Sequence, residues 1–284
     1  MSKERKAVEV AGVGSGIPGV SKDAVGEGVR VAPEWWRTLF DEVYLLTDAR
    51  SVGDPLVTSK EVDRLLEELQ LVPGEVILDL CGGHGRHALE LGRRGFSRLT
   101  VLDYSQYLLQ VGREQARREN LPVSFIKGDA RWLPVAGGTL HTVLILANSF
   151  GYGQDRWEDE QILRECWRVL TAGGRLFLEL PDPGYLRSHL QRCSWHEADA
   201  DVIVCRERWL SERVLTCREV VLSRSRGLIR EAAYRIRLYE ADEITSCLHR
   251  CGFSRVRVRD GGSPYSRPAD YGSLSRRLMV TAWK

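Results

Sequence analysis

Two acidic residues, Asp79 and Asp103, stand 24 positions apart and bracket glycines at 82, 83 and 85. Glycines at such spacing let a backbone turn sharply and approach a ligand with no Cβ in the way. An acid at the end of a strand beyond that turn is positioned to accept hydrogen bonds from both hydroxyls of a ribose. These residues need elements to hold them. Val76–Leu80 is a short β-branched and apolar run, expected as a strand buried on both faces. Arg86–Arg94 has helical periodicity, with Ala88, Leu89 and Leu91 on the apolar side and Gly95 placed to end it. Arg98–Leu102 is a second strand, ending in Asp103. Strand, glycine turn, helix, strand and terminal acid together make a nucleoside-binding βαβ half.

The form of the turn separates two ligand classes. A dinucleotide fingerprint wants Gly-x-Gly-x-x-Gly with no acid before it. Here Asp79 precedes the glycines, and Ala88 stands where the third glycine would fall. An apolar strand, an acid and a Gly-x-Gly turn, matched by Val76–Gly85, resemble the first motif of the class I S-adenosylmethionine-dependent methyltransferases. That family often carries glycine or alanine where this chain has Cys81, a mild departure. The resemblance covers residues 34–284. It implies an α/β fold: a doubly wound, seven-stranded, mostly parallel sheet with an N-terminal helical lid and a small inserted antiparallel sheet, in the family's small-molecule branch.

Further segments carry the same resemblance. Gly128-Asp129-Ala130-Arg131 resembles the adenine segment, in which the acid accepts from the exocyclic amine and the next amide donates to the ring. Asn148-Ser-Phe-Gly-Tyr152, after the apolar run 140–147, is similar to the sequence that faces the reacting centre in small-molecule members. The resemblance implies S-adenosyl-L-methionine as cofactor. Its contacts would be Tyr44 from the lid; Asp79, Cys81, Gly83 and Arg86 from the first turn; and Asp103 with Tyr104. Asp129, Ala130, Arg131, Ala147 and Asn148 complete them. Arg86 would pair with the methionine carboxylate or stand as a solvated helix residue.

Taken in order, residues 1–30 are rich in glycine, serine and charge and read as a flexible tail ahead of one methyltransferase domain, 31–284, whose lid is 31–72. Helices are expected over 34–47, with Trp36 and Phe40 packing on the core, and over 58–69, with Thr58 and Glu61 as a capping box. Others follow at 105–120, where Ser105 is the cap, at 157–170 and at 241–250. Strands are expected over 122–126, 140–147 and 175–180, the last entered through a turn at 171–174. The segment 182–239 breaks the alternation with a three-stranded meander over 202–210, 213–223 and 228–238, expected to cover the acceptor site. Strands at 254–259 and 278–283 close the sheet.

The chain has 284 residues, with 41 basic and 39 acidic side chains and a net charge of +2, so charge gives no global drive towards nucleic acid or membrane. Seven cysteines include no Cys-x-x-Cys pair, and the histidines have no metal-ligand spacing. With no signal peptide and no apolar run of membrane length, the sequence is read as a reduced, cytoplasmic protein, without a metal, acting as monomer or homodimer on a small-molecule acceptor. Methyl transfer is an in-line displacement that needs alignment and exclusion of water, and a base only where the acceptor has a proton to lose. Tyr152, His189, His196 and Asp182 are the candidate bases, and Asn148 is positioned to orient an acceptor at nitrogen or oxygen. Two other readings stay open. One is transfer to RNA or polypeptide, using arginines 224, 226, 230, 235 and 237 with 255, 257 and 259 as a basic face. The other is a non-catalytic cofactor-binding domain.

Overall fold

The structure is a computed structural model that describes residues 29–48, 53–262 and 274–284. All but the last two residues of the expected tail lie outside them. Strands β1 (Ile77–Leu80), β2 (Leu99–Asp103), β3 (Val123–Lys127), β4 (Leu140–Ile145), β5 (Leu170–Pro181), β10 (Arg255–Asp260) and β11 (Arg277–Trp283) form one sheet in the order β3-β2-β1-β4-β5-β11-β10. The first five run parallel, and β11 is antiparallel to both β5 and β10. The chain moves outward from β1 through β2 to β3, then returns to start β4 on the other side of β1. This reversal places a topological switch point between β1 and β4, where ligands of doubly wound sheets lie beyond the carboxyl ends of the strands.

The continuous apolar runs follow from two cores, one on each face. Leu78, Leu80, Val143, Ile145, Leu176 and Leu178 point to one side, against helices α6 (Arg156–Val169) and α8 (Ala241–Arg250). Their neighbours Ile77, Leu144 and Phe177 point to the other, against α3 (Pro55–Leu69) and α4 (Arg86–Arg93). Side chains that alternate between two buried faces leave no polar position in mid-strand. Asp79 breaks that pattern, at 1% exposure.

Four expectations about elements change. The single helix over 34–47 is two, α1 (Trp36–Leu39) and α2 (Glu42–Thr47), because Asp41 caps the second by accepting from the Tyr44 amide. Helix α3 begins three residues earlier than expected, with Asp54 accepting from the Leu56 and Val57 amides and Pro55 in the first turn. Thr58 and Glu61 are therefore inside the helix and form no capping box. The segment 171–174 bulges out of β5: the register with β4 jumps from Leu140–Leu170 to Thr142–Arg175. The inserted sheet has four strands, since β6 (Cys193–Glu197) adds to the edge of β7 (Val202–Leu210), β8 (Val214–Ser223) and β9 (Gly227–Arg237). Between β5 and β6 lies α7 (Pro183–His189), capped by Asp182. Ser105 caps α5 (Gln106–Glu119) as expected, by accepting from Leu108. Among the described residues no helix is long and apolar enough to cross a membrane.

Candidate functional site

A cavity opens at the switch point, walled by the segments that follow β1, β2, β3 and β4 and by Trp36, Phe40 and Tyr44. Trp36 and Phe40 thus line the cavity rather than pack in the core, and Trp35 beside them is buried, at 5% exposure. The glycine turn is tight for a stated reason. A Cβ on Gly82 would lie 2.6 Å from the Asp79 carboxyl carbon, and one on Gly85 would lie 2.9 Å from both Phe125 and Val101. Gly83 and Gly85 also take φ values of +59° and +74°, which glycine adopts without strain.

Both Asp79 oxygens are buried with no hydrogen-bond partner among the described residues. Burial pushes its pKa from 3.8 up to about 6, against the pull of His87 and Arg86. Asp103 accepts from the Gly83 amide through one oxygen and from the Ser105 amide through the other, each at 2.8 Å. Each oxygen keeps acceptor capacity directed elsewhere. Asp129 is held by Arg131, whose backbone amide donates at 3.0 Å and whose Nη2 donates at 2.7 Å. Burial works to raise the Asp129 carboxyl, but these bonds hold it below its ordinary value. Arg131 reaches on to Glu34 and Glu158 and lies over the Trp36 ring, whose edge meets Tyr104. The adenine segment is therefore tied to the first turn of the N-terminal helices.

Every residue expected to contact the cofactor lines this cavity except Asn148. Asn148 lines a second cavity of about 130 Å3, on the far side of Phe40, Tyr44, Ala147 and Tyr152, which border both. The inserted sheet supplies its outer wall through Glu219, Arg230, Tyr234 and Ile236. Left-handed φ at non-glycine positions clusters here: +58° at Cys81, +54° at Ala147 and +62° at Asn148. Strain of this kind persists only where surrounding structure enforces it, and it tends to gather at functional sites. Burial pushes the Tyr152 phenol above its ordinary value, so it stays protonated and acts as a donor rather than a base.

Arg86 lines the first cavity and is not a solvated helix residue. It is buried and donates to Thr58 Oγ1 and Glu61. Glu61 also meets His87 Nε2 at 2.9 Å and Arg277 Nη1 at 3.1 Å. Arg277 reaches Glu179, which accepts from the Ala147 amide at 2.9 Å. Desolvation alone would raise the Glu61 pKa, but Arg86, His87 and Arg277 hold it well below the ordinary value. This buried chain of ions runs beneath both cavities, and no sequence motif announced it. His189 is not brought to either cavity: it is exposed on the last turn of α7, its ring stacked 4.1 Å from Tyr185. Asp182 is spent as the α7 cap, and His196 contacts the Thr47 carbonyl at 3.1 Å. Among the arginines considered for a basic face, 224, 230, 237, 257 and 259 are paired with carboxylates.

Comparison with known proteins bears on this geometry. Residues 77–174 match the family model of a methyltransferase domain. A ubiquinone/menaquinone biosynthesis C-methyltransferase of a Ruegeria species is 33% identical over 147 residues, covering 49% of this chain and 56% of that one. A demethylmenaquinone methyltransferase of Thermus thermophilus is 38% identical over 109 residues, 38% of this chain and 48% of that one. The chain spans about half the length of the curated relatives it matches. Among solved structures, an S-adenosylmethionine-dependent methyltransferase of Clostridium acetobutylicum aligns with a TM-score of 0.64 at 15% identity, over 81% of this chain and 92% of that one. A sugar N-methyltransferase of a Streptoalloteichus species aligns with a TM-score of 0.61 at 18% identity, over 96% and 99%. At these identities the structures show the fold.

Three groups lining the first cavity suit parts of S-adenosylmethionine. Asp79, a buried carboxylate with two unanswered oxygens, suits an ammonium; Asp103 suits a ribose diol; Asp129 and Ala130, beside Leu102 and Ile162, suit a flat base. A Cβ at residue 82 would occupy the space in front of Asp79. Residues 77–174 are thus similar to a methyltransferase domain, and the chain has the fold of the solved S-adenosylmethionine-dependent methyltransferases.

Proposed function

We propose that this chain transfers a methyl group from S-adenosylmethionine to a nitrogen or oxygen of a small molecule held in the second cavity. The observation that carries the reading is the pair of cavities meeting across Phe40, Tyr44, Ala147 and Tyr152. One has groups suited to the cofactor, and the other opens beside it across those four residues. In this reading residues 31–72 act as the lid and 182–239 as the acceptor wall.

A sulfonium methyl is already activated for displacement, so the protein's task is to align the acceptor and exclude water. Asp79, Asp103 and Ala130 hold the cofactor's ends. Ala147, strained and fixed by its bond to Glu179, sets the wall between the two reactants. Asn148 orients the acceptor, and the Tyr152 phenol donates a hydrogen bond. Trp35, Phe40, Tyr44 and Tyr234 keep water out.

The Ruegeria relative named above is a C-methyltransferase, and the family match ends at residue 174, before the inserted sheet begins. The acceptor is therefore argued from this chain's own second cavity. The test is transfer from S-adenosylmethionine labelled in its methyl group, with the chain offered a metabolite extract, RNA and protein in separate reactions. Label appearing in small molecules supports the proposal. Label confined to RNA or protein favours the macromolecular reading, and cofactor binding with no transfer favours a binding domain.

A further inference from the structure

Five aromatic rings, those of Trp35, Phe40, Tyr44, Tyr152 and Tyr234, line the second cavity. They pack against one another, with Trp35 centred 4.7 Å from Tyr152 and 5.5 Å from Tyr234, and Phe40 centred 5.0 Å from Tyr44. Aromatic faces carry negative charge density and attract cations, most strongly where water is excluded.

The charged residues among these rings are committed to partners of opposite sign. Arg230 donates to Asp41 at 2.7 Å and to Glu219 at 2.8 Å. Arg206 behind it donates to Glu219 at 2.8 Å and to Asp48 at 3.0 Å. Arg277 is engaged by Glu61 and Glu179. The guanidiniums therefore hold no charge in reserve for an anionic acceptor.

Some polar atoms at this cavity stand differently. Asn148 is 5% exposed, and its Oδ1 is buried with no donor among the described residues. The Nε of Arg230 and the Nε1 of Trp35 are likewise buried, with no acceptor among the described residues. A buried carbonyl oxygen left unanswered is costly, so a ligand that brings an N–H to it gains that back. Arg230 Nε in turn suits a hydroxyl or ether oxygen on the same ligand.

Building on the methyltransferase reading, we propose that the acceptor is a hydroxylated alkylamine, entering as the ammonium ion and methylated at nitrogen. An alcohol could also donate to Asn148 Oδ1, but it gains nothing from the rings. In the reaction the ammonium releases one proton to solvent. Its nitrogen lone pair then forms the bond to the methyl carbon while the carbon–sulfur bond breaks with its electron pair staying on sulfur. The positive charge of the sulfonium ends on the methylated nitrogen.

The experiment is calorimetric titration of the full chain saturated with S-adenosylhomocysteine. Its probes are two matched pairs: 2-amino-1,3-propanediol against glycerol, and trans-2-aminocyclohexanol against trans-1,2-cyclohexanediol. Each amine is expected to bind at least tenfold tighter than its alcohol. Mass spectrometry after incubation with S-adenosylmethionine is expected to find the N-methylated amine and no O-methylated product. Asn148→Gly, which tolerates the left-handed backbone, is expected to weaken the amine about tenfold while leaving S-adenosylhomocysteine affinity within twofold. Alcohols binding as well as amines, or neither class binding, overturns the amine proposal while normal S-adenosylhomocysteine binding leaves the methyltransferase reading standing. Failure of the unaltered chain to bind S-adenosylhomocysteine contradicts that reading itself, and the amine proposal with it.

Discussion

Asp79 holds a carboxylate where every neighbour on its strand is a buried hydrocarbon, and its pKa of about 6 against 3.8 expresses that cost. A folded-state pKa above the unfolded value means that the native chain binds the extra proton. This group's contribution to stability is therefore greatest at low pH, falls as pH rises from about 4 to 6, and then stays level. Ligand binding runs the other way, because an ammonium needs the ionised acid. S-adenosylhomocysteine is expected to bind about tenfold more weakly at pH 5 than at pH 7 to 8, with the dependence gone in Asp79→Asn. Calorimetric titration across that range checks it, and a pH profile unchanged in the variant contradicts it. Asp103→Ala removes two charge-assisted acceptors from the proposed ribose site and is expected to raise the same Kd about 10- to 100-fold. An unchanged Kd removes the ribose assignment.

At the scale of elements, what was legible in the sequence follows from which signals are local. The turn at 82–85 was readable because glycine spacing, strand run and helix period fall within thirty residues of one another. The break between α1 and α2 was not, because Asp41 interrupts an apolar period that runs on past it. It is held from afar by Arg230, which bonds to the Leu39 carbonyl and to Asp41. Strand β6 escaped because its five residues alternate between exposed and half-buried at a sheet edge, with Trp195 69% exposed. Glu61 shows how a local pattern misleads: Thr-x-x-Glu is a capping-box spelling, yet its partner Arg277 is 216 residues away. Removing one member of a buried ion cluster leaves the others uncompensated, so Glu61→Gln is expected to cost about 3–5 kcal/mol by urea unfolding at pH 7. The Glu61 pKa is lowered on folding, so its contribution is full above the ordinary value of 4.5 and is lost as pH falls below it. The variant should therefore show a smaller loss of stability than the parent between about pH 5 and 3. An equal loss in both would place the acid sensitivity elsewhere.

Across the whole molecule, one sheet serves two tasks. Its carboxyl edge between β1 and β4 carries the proposed cofactor groups, and the same edge, continued through Ala147, Asn148 and Tyr152, borders the proposed acceptor cavity. The N-terminal helices and the inserted sheet, far apart in sequence, meet where Arg230 bonds to Asp41. The proposed cofactor half was readable because its first turn is written in one continuous stretch, whereas the proposed acceptor half is assembled from residues 35 to 48, 147 to 152, 219 to 236 and 274 to 277. The claim beneath all of this is that the first cavity binds S-adenosylmethionine and its product. It is tested most directly by thermal unfolding with S-adenosylhomocysteine or NAD, each in excess. At about 100 times its Kd a ligand adds about 2.7 kcal/mol, which for a chain of this size raises the midpoint by about 5–10 °C. The account predicts that rise with S-adenosylhomocysteine and none with NAD. A rise with NAD alone, or with neither, contradicts it.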